Sequence, residues 1–262
     1  MKKTYYYLIH IQYLGFRFSG WQKQPNQKTI HLMIDKTVQF VLKHDRFKTM
    51  GASRTDAKVS ANHGLFELFV EFPINVESFL TDFNSNLSSD IRATKMEEVN
   101  KDFNIINSSK TKTYHYFFTC GPKPHPFSAS LVAYFKGDLD VELMKKGAKL
   151  FEGTHNFKTY CTKPKPNTTL TRHVGRCEIM ENDIYTANFF PDHSWVLVIE
   201  SKGFLRNQVR LIMGQLIRLG RGEINLDYIR KTLAPDSEEV MDEIAPGSGL
   251  QLHRIDYDII TS

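Results

Sequence analysis

Cysteine is scarce and scattered: Cys120, Cys161 and Cys177 fit neither a disulfide framework nor a CxxC metal clip, so reduced thiols in a cytoplasmic protein are expected. Long apolar runs are missing as well. The stretch from Tyr5 to Ile9 turns polar at His10 and Gln12, too soon for the core of a signal peptide. No later segment approaches the ~18 apolar residues of a membrane span, so no membrane partner is expected. Also absent are a GxxxxGK[ST] phosphate loop, a GxGxxG fingerprint behind a strand, an HExxH pair and a Gly-x-Ser-x-Gly elbow. These absences argue against a nucleotide cofactor or a metal, and leave chemistry to ordinary side chains.

Neither sign of charge dominates strongly. Lys and Arg number 34 against 29 Asp and Glu, and the resulting +5 with a pI near 8.9 leans towards an anionic partner. Hydrophobic content of 41% with 24% charged residues excludes wholesale disorder, and 262 residues suffice for one large domain or two halves.

Periodicity places the elements. Tyr5 to Tyr13, aromatic and β-branched, reads as a strand, and Thr29 precedes an apolar stripe (Ile30, Ile34, Val38, Val41) that predicts a helix over 29–44. Strands are expected at 65–72 and 91–99 around a helix at 76–86, giving a β-α-β-α-β rhythm. A polar stretch at 102–113 marks the seam between halves 1–105 and 106–262. Beyond it, strands are expected at 113–119, 169–179, 183–190, 195–202 and 253–257, with helices at 139–151, 204–219 and 226–233. The fold class is α+β with two similar-sized halves.

Three constellations can carry chemistry. Gly51-Ala-Ser-Arg54-Thr55-Asp56-Ala-Lys58 strings a cation, a hydroxyl and a carboxylate along a loop between apolar segments. It reads either as an Asx turn in which Asp56 caps backbone amides or as a carboxylate presented to a sugar-phosphate substrate. In the 204–219 helix Arg206 and Arg210 stand four apart, hence on one face, and Arg210 borders the buried stripe, where a guanidinium needs an anionic partner. A solvated basic face is the alternative. Tyr114-His-Tyr116-Phe-Phe118 behind Lys110 and Lys112 is core packing for Tyr116 and Phe118, while Tyr114 at the polar end has a claim to a pocket.

Taken in order, these segments resemble the TruA family of tRNA pseudouridine synthases over nearly the whole chain. Phe18-Ser-Gly20-Trp21-Gln22-Lys-Gln24 is similar to the family's F-x-G-W-Q-x-Q opening, and Arg54-Thr55-Asp56-Ala57 to its R-T-D-A signature. Lys112-Thr-Tyr114-His-Tyr116 occupies the [RK]-x-Y-x-Y segment; Gly153-Thr-His155-Asn-Phe157, Phe204-Leu-Arg-Asn-Gln-Val-Arg210 and Ala245-Pro246-Gly-Ser-Gly249-Leu250 complete the series. The sequence departs where the family reads G-V-H-A-x-G-Q after the signature: Lys58, Ser60, His63 and Gly64 stand at the Gly, His, Gly and Gln positions.

The resemblance implies antiparallel sheets joined around a central basic cleft, the pseudouridine synthase fold. It implies isomerisation of uridine at positions 38, 39 and 40 of the tRNA anticodon stem-loop by a homodimer, without cofactor. The base leaves C1′ through N1, turns and rejoins through C5. Asp56 is the implied catalytic carboxylate, whether it attacks the base, attacks C1′ or removes a sugar proton; Arg210 is its charge partner and Tyr114 stacks on uracil and accepts the C5 proton. Arg17, Arg54, Thr55, Lys58 and Arg206 are candidates for RNA contact, and the basic loops near 122–125 and 163–165 for phosphate contact. The rival readings are the same chemistry on another RNA, a silent RNA-binding relative, which retention of Asp56, Tyr114 and Arg210 argues against, and a sugar-cleaving hydrolase, for which no second carboxylate stands at a motif position.

Overall fold

The chain, taken from a computed structural model, is described over residues 4–258. Two compact units form, one running up to Lys110 and resumed from Leu252, the other spanning Thr111–Gln251. In chain order the first contains β1 (Tyr5–Tyr13), α1 (Ile30–Leu42), β2 (Phe47–Gly51), β3 (Ser60–Val70), α2 (Val76–Asn86), β4 (Ile91–Val99) and α3 (Ile105–Ser108). The second is built from β5 (Ser109–Gly121), β6 (Ala133–Lys136), α4 (Val141–Lys149), β7 (Gly153–Asn156), β8 (Thr171–Glu181), β9 (Trp195–Ser201), α5 (Gln208–Gly220) and α6 (Leu226–Thr232). The chain then returns to the first unit through β10 (Leu250–Tyr257).

In the first unit β1 runs antiparallel between β4 and β3, with Ile9 opposite Met96 on one side and Phe66 on the other. β1 buries Tyr7 to Ile11 without interruption, so both of its faces are covered, which is why its sequence alternates only in part. β2 and β10 lie beside β3. Thr29 caps α1 by accepting the Leu32 N–H (3.3 Å), and Lys43 ends it in a left-handed turn at φ 59°. Asn75 caps α2 likewise, and that helix buries Phe79 and Phe83, stacked at 5.5 Å, with Phe83 against Phe66 of β3 at 6.3 Å. Each such aromatic contributes roughly 1.5–3 kcal/mol of burial.

The second unit orders its antiparallel strands β5-β9-β8-β7, with Tyr116 opposite Leu197 and Leu197 opposite Ile179; β6 adds in parallel to the edge of β5. Helices α4, α5 and α6 bury Met144, the run Leu211–Ile217 and Ile229. All three thiols are free, Cys177 fully buried.

Several expectations need correction. Residues 183–190 form no strand: Asn182 Oδ1 accepts the N–H groups of Ile184 and Tyr185, and its Nδ2 donates to Tyr185 O and Ser194 Oγ, so a side chain satisfies what a ladder would have. Of the apolar residues there, Tyr185 and Phe190 pack on Phe117, Val132, Val196 and Val198. The helix expected from Phe204 starts at Gln208, because Asn207 takes φ 60° and breaks the run. Arg206 thus lies outside it and does not share a helical face with Arg210. The short strands β2, β6 and β7 were not anticipated, which turns the expected rhythm of the first unit into β-α-β-β-α-β.

On the first unit's sheet His10 Nδ1 and His63 Nε2 lie 3.0 Å apart, while His10 Nε2 faces Glu97 Oε1 at 3.0 Å and the Tyr257 hydroxyl at 3.2 Å. Burial holds both histidines below the usual 6.5, opposed at His10 by Glu97 and reinforced at His63 by His10. Lys95 on β4 and His253, Arg254 and Asp256 on β10 also act on the pair. Since the unfolded chain takes up these protons first, the stability gained by keeping the rings neutral is complete above about pH 6.5 and is lost as pH falls below it. The melting temperature is therefore expected to drop from about pH 7 to 5.5, and His63→Gln to flatten that slope; an unchanged slope in the variant would acquit the pair.

Candidate active site

The loop between β2 and β3 carries Arg54, Thr55, Asp56 and Lys58, and its path is fixed by direct backbone contact with residues 15–21. The Trp21 N–H donates to Thr55 O (3.0 Å), the Lys58 N–H to Phe18 O (3.0 Å) and the Gly15 N–H to Ser60 Oγ (2.9 Å). Such closeness leaves no room for a side chain at two positions of the facing segment, Gly15 and Gly20. A Cβ on Gly15 would stand 1.9 Å from Val59 O; one on Gly20, already at φ 92°, would stand 2.8 Å from Thr55 O and 3.0 Å from the Asp56 carbonyl carbon.

Tyr13, the last residue of β1, adds a side-chain anchor through a 2.8 Å hydrogen bond between its hydroxyl and Thr55 Oγ1, both groups buried. Trp21 lies against Tyr13 (6.1 Å) and stacks on His31 (5.7 Å), so the loop rests on an aromatic floor. Thr55, expected among the RNA contacts, thus has its hydroxyl turned inward and holds the loop. Asp56 is half-buried, its carbonyl accepting the Val59 N–H at 3.2 Å in a tight turn. Arg54 and Lys58 are exposed, Lys58 at φ 67° with its ammonium over the Phe16 ring (5.7 Å). Arg17 is exposed too and pairs with Asp90.

The second unit holds Tyr114, Arg206 and Arg210. Tyr114 on β5 is only 7% exposed and meets the Phe204 ring edge-on at 5.2 Å. Two residues along the same strand Tyr116 donates its hydroxyl to Pro246 O (2.8 Å); burial pushes its pKa up and the Arg210 charge opposes that rise. Arg210 is half-buried, donating from Nε to Ala245 O (2.7 Å) and from Nη1 to Asn207 Oδ1 (3.3 Å). One short stretch, Ala245-Pro246, therefore aligns both Arg210 and Tyr116. Arg206 is exposed, its carbonyl accepting the Thr162 N–H (3.2 Å) and so tethering the loop that bears exposed Lys163 and Lys165.

Tyr13 and the carbonyls of Ala245 and Pro246 were not assigned work from the sequence. For Tyr13 the only available signal was a hydroxylated aromatic at the end of a buried strand; a carbonyl acceptor leaves no signal in residue type. Gly20→Ala is expected to cost about 1–3 kcal/mol by forcing the strained turn and the backbone clash. Chemical denaturation would show it as a lowered midpoint; a wild-type midpoint would mean that the contact yields.

The family model described as tRNA pseudouridine synthase matches residues 148–258. The chain is 31% identical over 248 residues to the tRNA pseudouridine synthase A of Shouchella clausii (strain KSM-K16), covering 94% of this chain and 91% of that one. It is 30% identical over 255 residues to the tRNA pseudouridine synthase A of Limosilactobacillus reuteri (strain DSM 20016), covering 97% of both. Among solved structures, the archaeal box H/ACA sRNP Nop10-Cbf5 complex overlaps 80% of this chain and 44% of that chain at 14% identity with a TM-score of 0.34, too loose a likeness to argue from.

Proposed function

We infer the chemistry of this chain from the premise that it belongs to the tRNA pseudouridine synthase A family. It is an isomerase that converts uridine in tRNA to pseudouridine. Asp56 is the catalytic carboxylate, and the observation that carries this assignment is its half-buried position on a loop pinned by Gly15, Gly20 and Tyr13. A carboxylate that must meet a sugar or a base within ångströms gains from being held by backbone contacts. Arg210, oriented by Ala245, is the cation that favours its ionised form, and Tyr114 stacks on the uracil and takes the C5 proton.

A uridine inside a stem has to be turned out of the helix before a side chain can reach it. Exposed Arg54, Lys58 and Arg206 serve that step by holding backbone phosphates, with Arg17 contributing beyond its pair with Asp90. The loops at 122–125 and 163–165 add further phosphate contacts, so binding weakens as salt rises. The target is the anticodon stem-loop, at positions 38, 39 and 40. The enzyme acts as a homodimer in the cytoplasm.

Asp56→Asn is expected to abolish pseudouridine formation, read by tritium release from uridine-labelled tRNA, while tRNA affinity stays within a few-fold of wild type. Joint loss of binding and folding would sink the catalytic role, and free uracil among the products would point instead to a hydrolase. Tyr114→Phe keeps the stacking ring and loses the proton acceptor, so kcat should fall roughly 10²–10⁴-fold with little change in KM. A wild-type kcat would remove Tyr114 from proton transfer. Sequencing pseudouridines in total RNA with and without the gene checks the proposed positions.

A further inference from the structure

Between α6 and β10 the chain crosses the second unit as a strap, residues 237–246, without regular structure but moored at both ends and between. At its start Glu239 accepts the Tyr228 hydroxyl (3.0 Å) and pairs with Lys231 (2.8 Å), both on α6. Met241 is buried, and Glu243 pairs with Arg221 at the C-terminal end of α5 (3.6 Å). Ala245 then exchanges two hydrogen bonds with Arg210: its N–H donates to Arg210 O (3.1 Å), and its carbonyl accepts from Arg210 Nε (2.7 Å). Pro246 O takes the Tyr116 hydroxyl (2.8 Å). The strap therefore runs back along α5, from its last turn to its first.

Arg210, Gly214 and Arg221 share the face of α5 that the strap follows, since i and i+4 are neighbours and eleven residues make almost three full turns. Glycine inside a helix is unfavourable in backbone entropy, so Gly214 needs a packing reason. It has one: a Cβ there would stand 2.0 Å from Glu243 O and 3.1 Å from the Glu243 carbonyl carbon. These are backbone atoms and cannot swing aside as the end of a side chain could. A larger residue has to lift the strap at Glu243, two residues before the carbonyl that holds Arg210.

Tyr116 secures the strap from the sheet. Its side chain is fully buried, so it cannot meet a substrate, and its hydroxyl is committed to Pro246 O, next to the carbonyl that receives Arg210. An arginine reaches its target through a long flexible stem, and a bond at Nε fixes the direction of the planar group beyond it. Misplacing a group of this kind by about 1 Å can cost on the order of 10²-fold in rate.

We propose that Gly214 and Tyr116 are positioning residues for the isomerisation, acting through residues 243–246 on the Arg210 guanidinium. This rests on Arg210 serving as the charge partner of Asp56, and it supplies the residues that aim it. Tritium release from uridine-labelled tRNA, read beside the melting transition of each variant, tests the assignment. Gly214→Ala should lower kcat about 10- to 100-fold with KM within about three-fold of wild type. Tyr116→Phe keeps the buried ring and should lower kcat roughly 10-fold. Both are then repeated in an Arg210→Lys background, where no Nε–H remains to meet Ala245 O, so each should cost less than about two-fold further. Equal losses in the two backgrounds would mean that Gly214 and Tyr116 only support the fold and would overturn the proposal, as would wild-type kcat in both single variants. If Gly214→Ala fails to fold, Tyr116→Phe and its cycle decide alone. Wild-type kcat in Arg210→Lys itself would remove Arg210 from the chemistry and overturn the premise rather than the strap.

Discussion

Backbone lies on backbone where residues 15–21 cross the loop at 55–60, and the position of Asp56 depends on that contact. Two glycines permit it, one bare of a Cβ at 1.9 Å from a carbonyl oxygen, the other also requiring a left-handed turn. Side chains then secure what the glycines allow: Tyr13 from below through Thr55, Trp21 through its ring on His31, Ser60 through the Gly15 amide. The resulting loop carries few degrees of freedom of its own. A carboxylate set on it inherits the rigidity of a central β-strand.

Legibility of the fold followed the strength of the local signal. β1, α2 and β4 have the bounds expected from pattern because each couples a long apolar period to a cap or a turn. The edge strands β2, β6 and β7, four or five residues long, have too few side chains to show a period. At 183–190 the aromatic residues serve packing under a loop, and at Asn207 one left-handed residue moved a helix start that the apolar stripe alone could not locate. Within the candidate site Asp56, Tyr114 and Arg210 were legible as residue types in motif positions. The Ala245 and Pro246 carbonyls that orient Arg210 and Tyr116 were not, since any residue supplies a carbonyl.

The departures after the signature acquire physical meaning in place. Lys58 stands where the resemblance expects a glycine, in a left-handed conformation costing on the order of 1 kcal/mol, and projects a cation from the carboxylate loop. Ser60 stands at the family's histidine position and turns its hydroxyl to the Gly15 amide, so it serves the clamp. His63, at another glycine position, brings a second ring against His10 and couples β3 to β1 through side chains as well as through the ladder.

The return of β10 to the first unit has a consequence for synthesis. β3 leaves the ribosome early, yet the strand that covers its far edge, with the Tyr257 hydroxyl that meets His10 and Glu97, is translated only after the whole of the second unit. Until then the nascent first unit carries an uncovered sheet edge, a surface prone to wrong pairing. The His10–His63 pair on β1 and β3 thus completes its surroundings last, although its residues are among the first to be made.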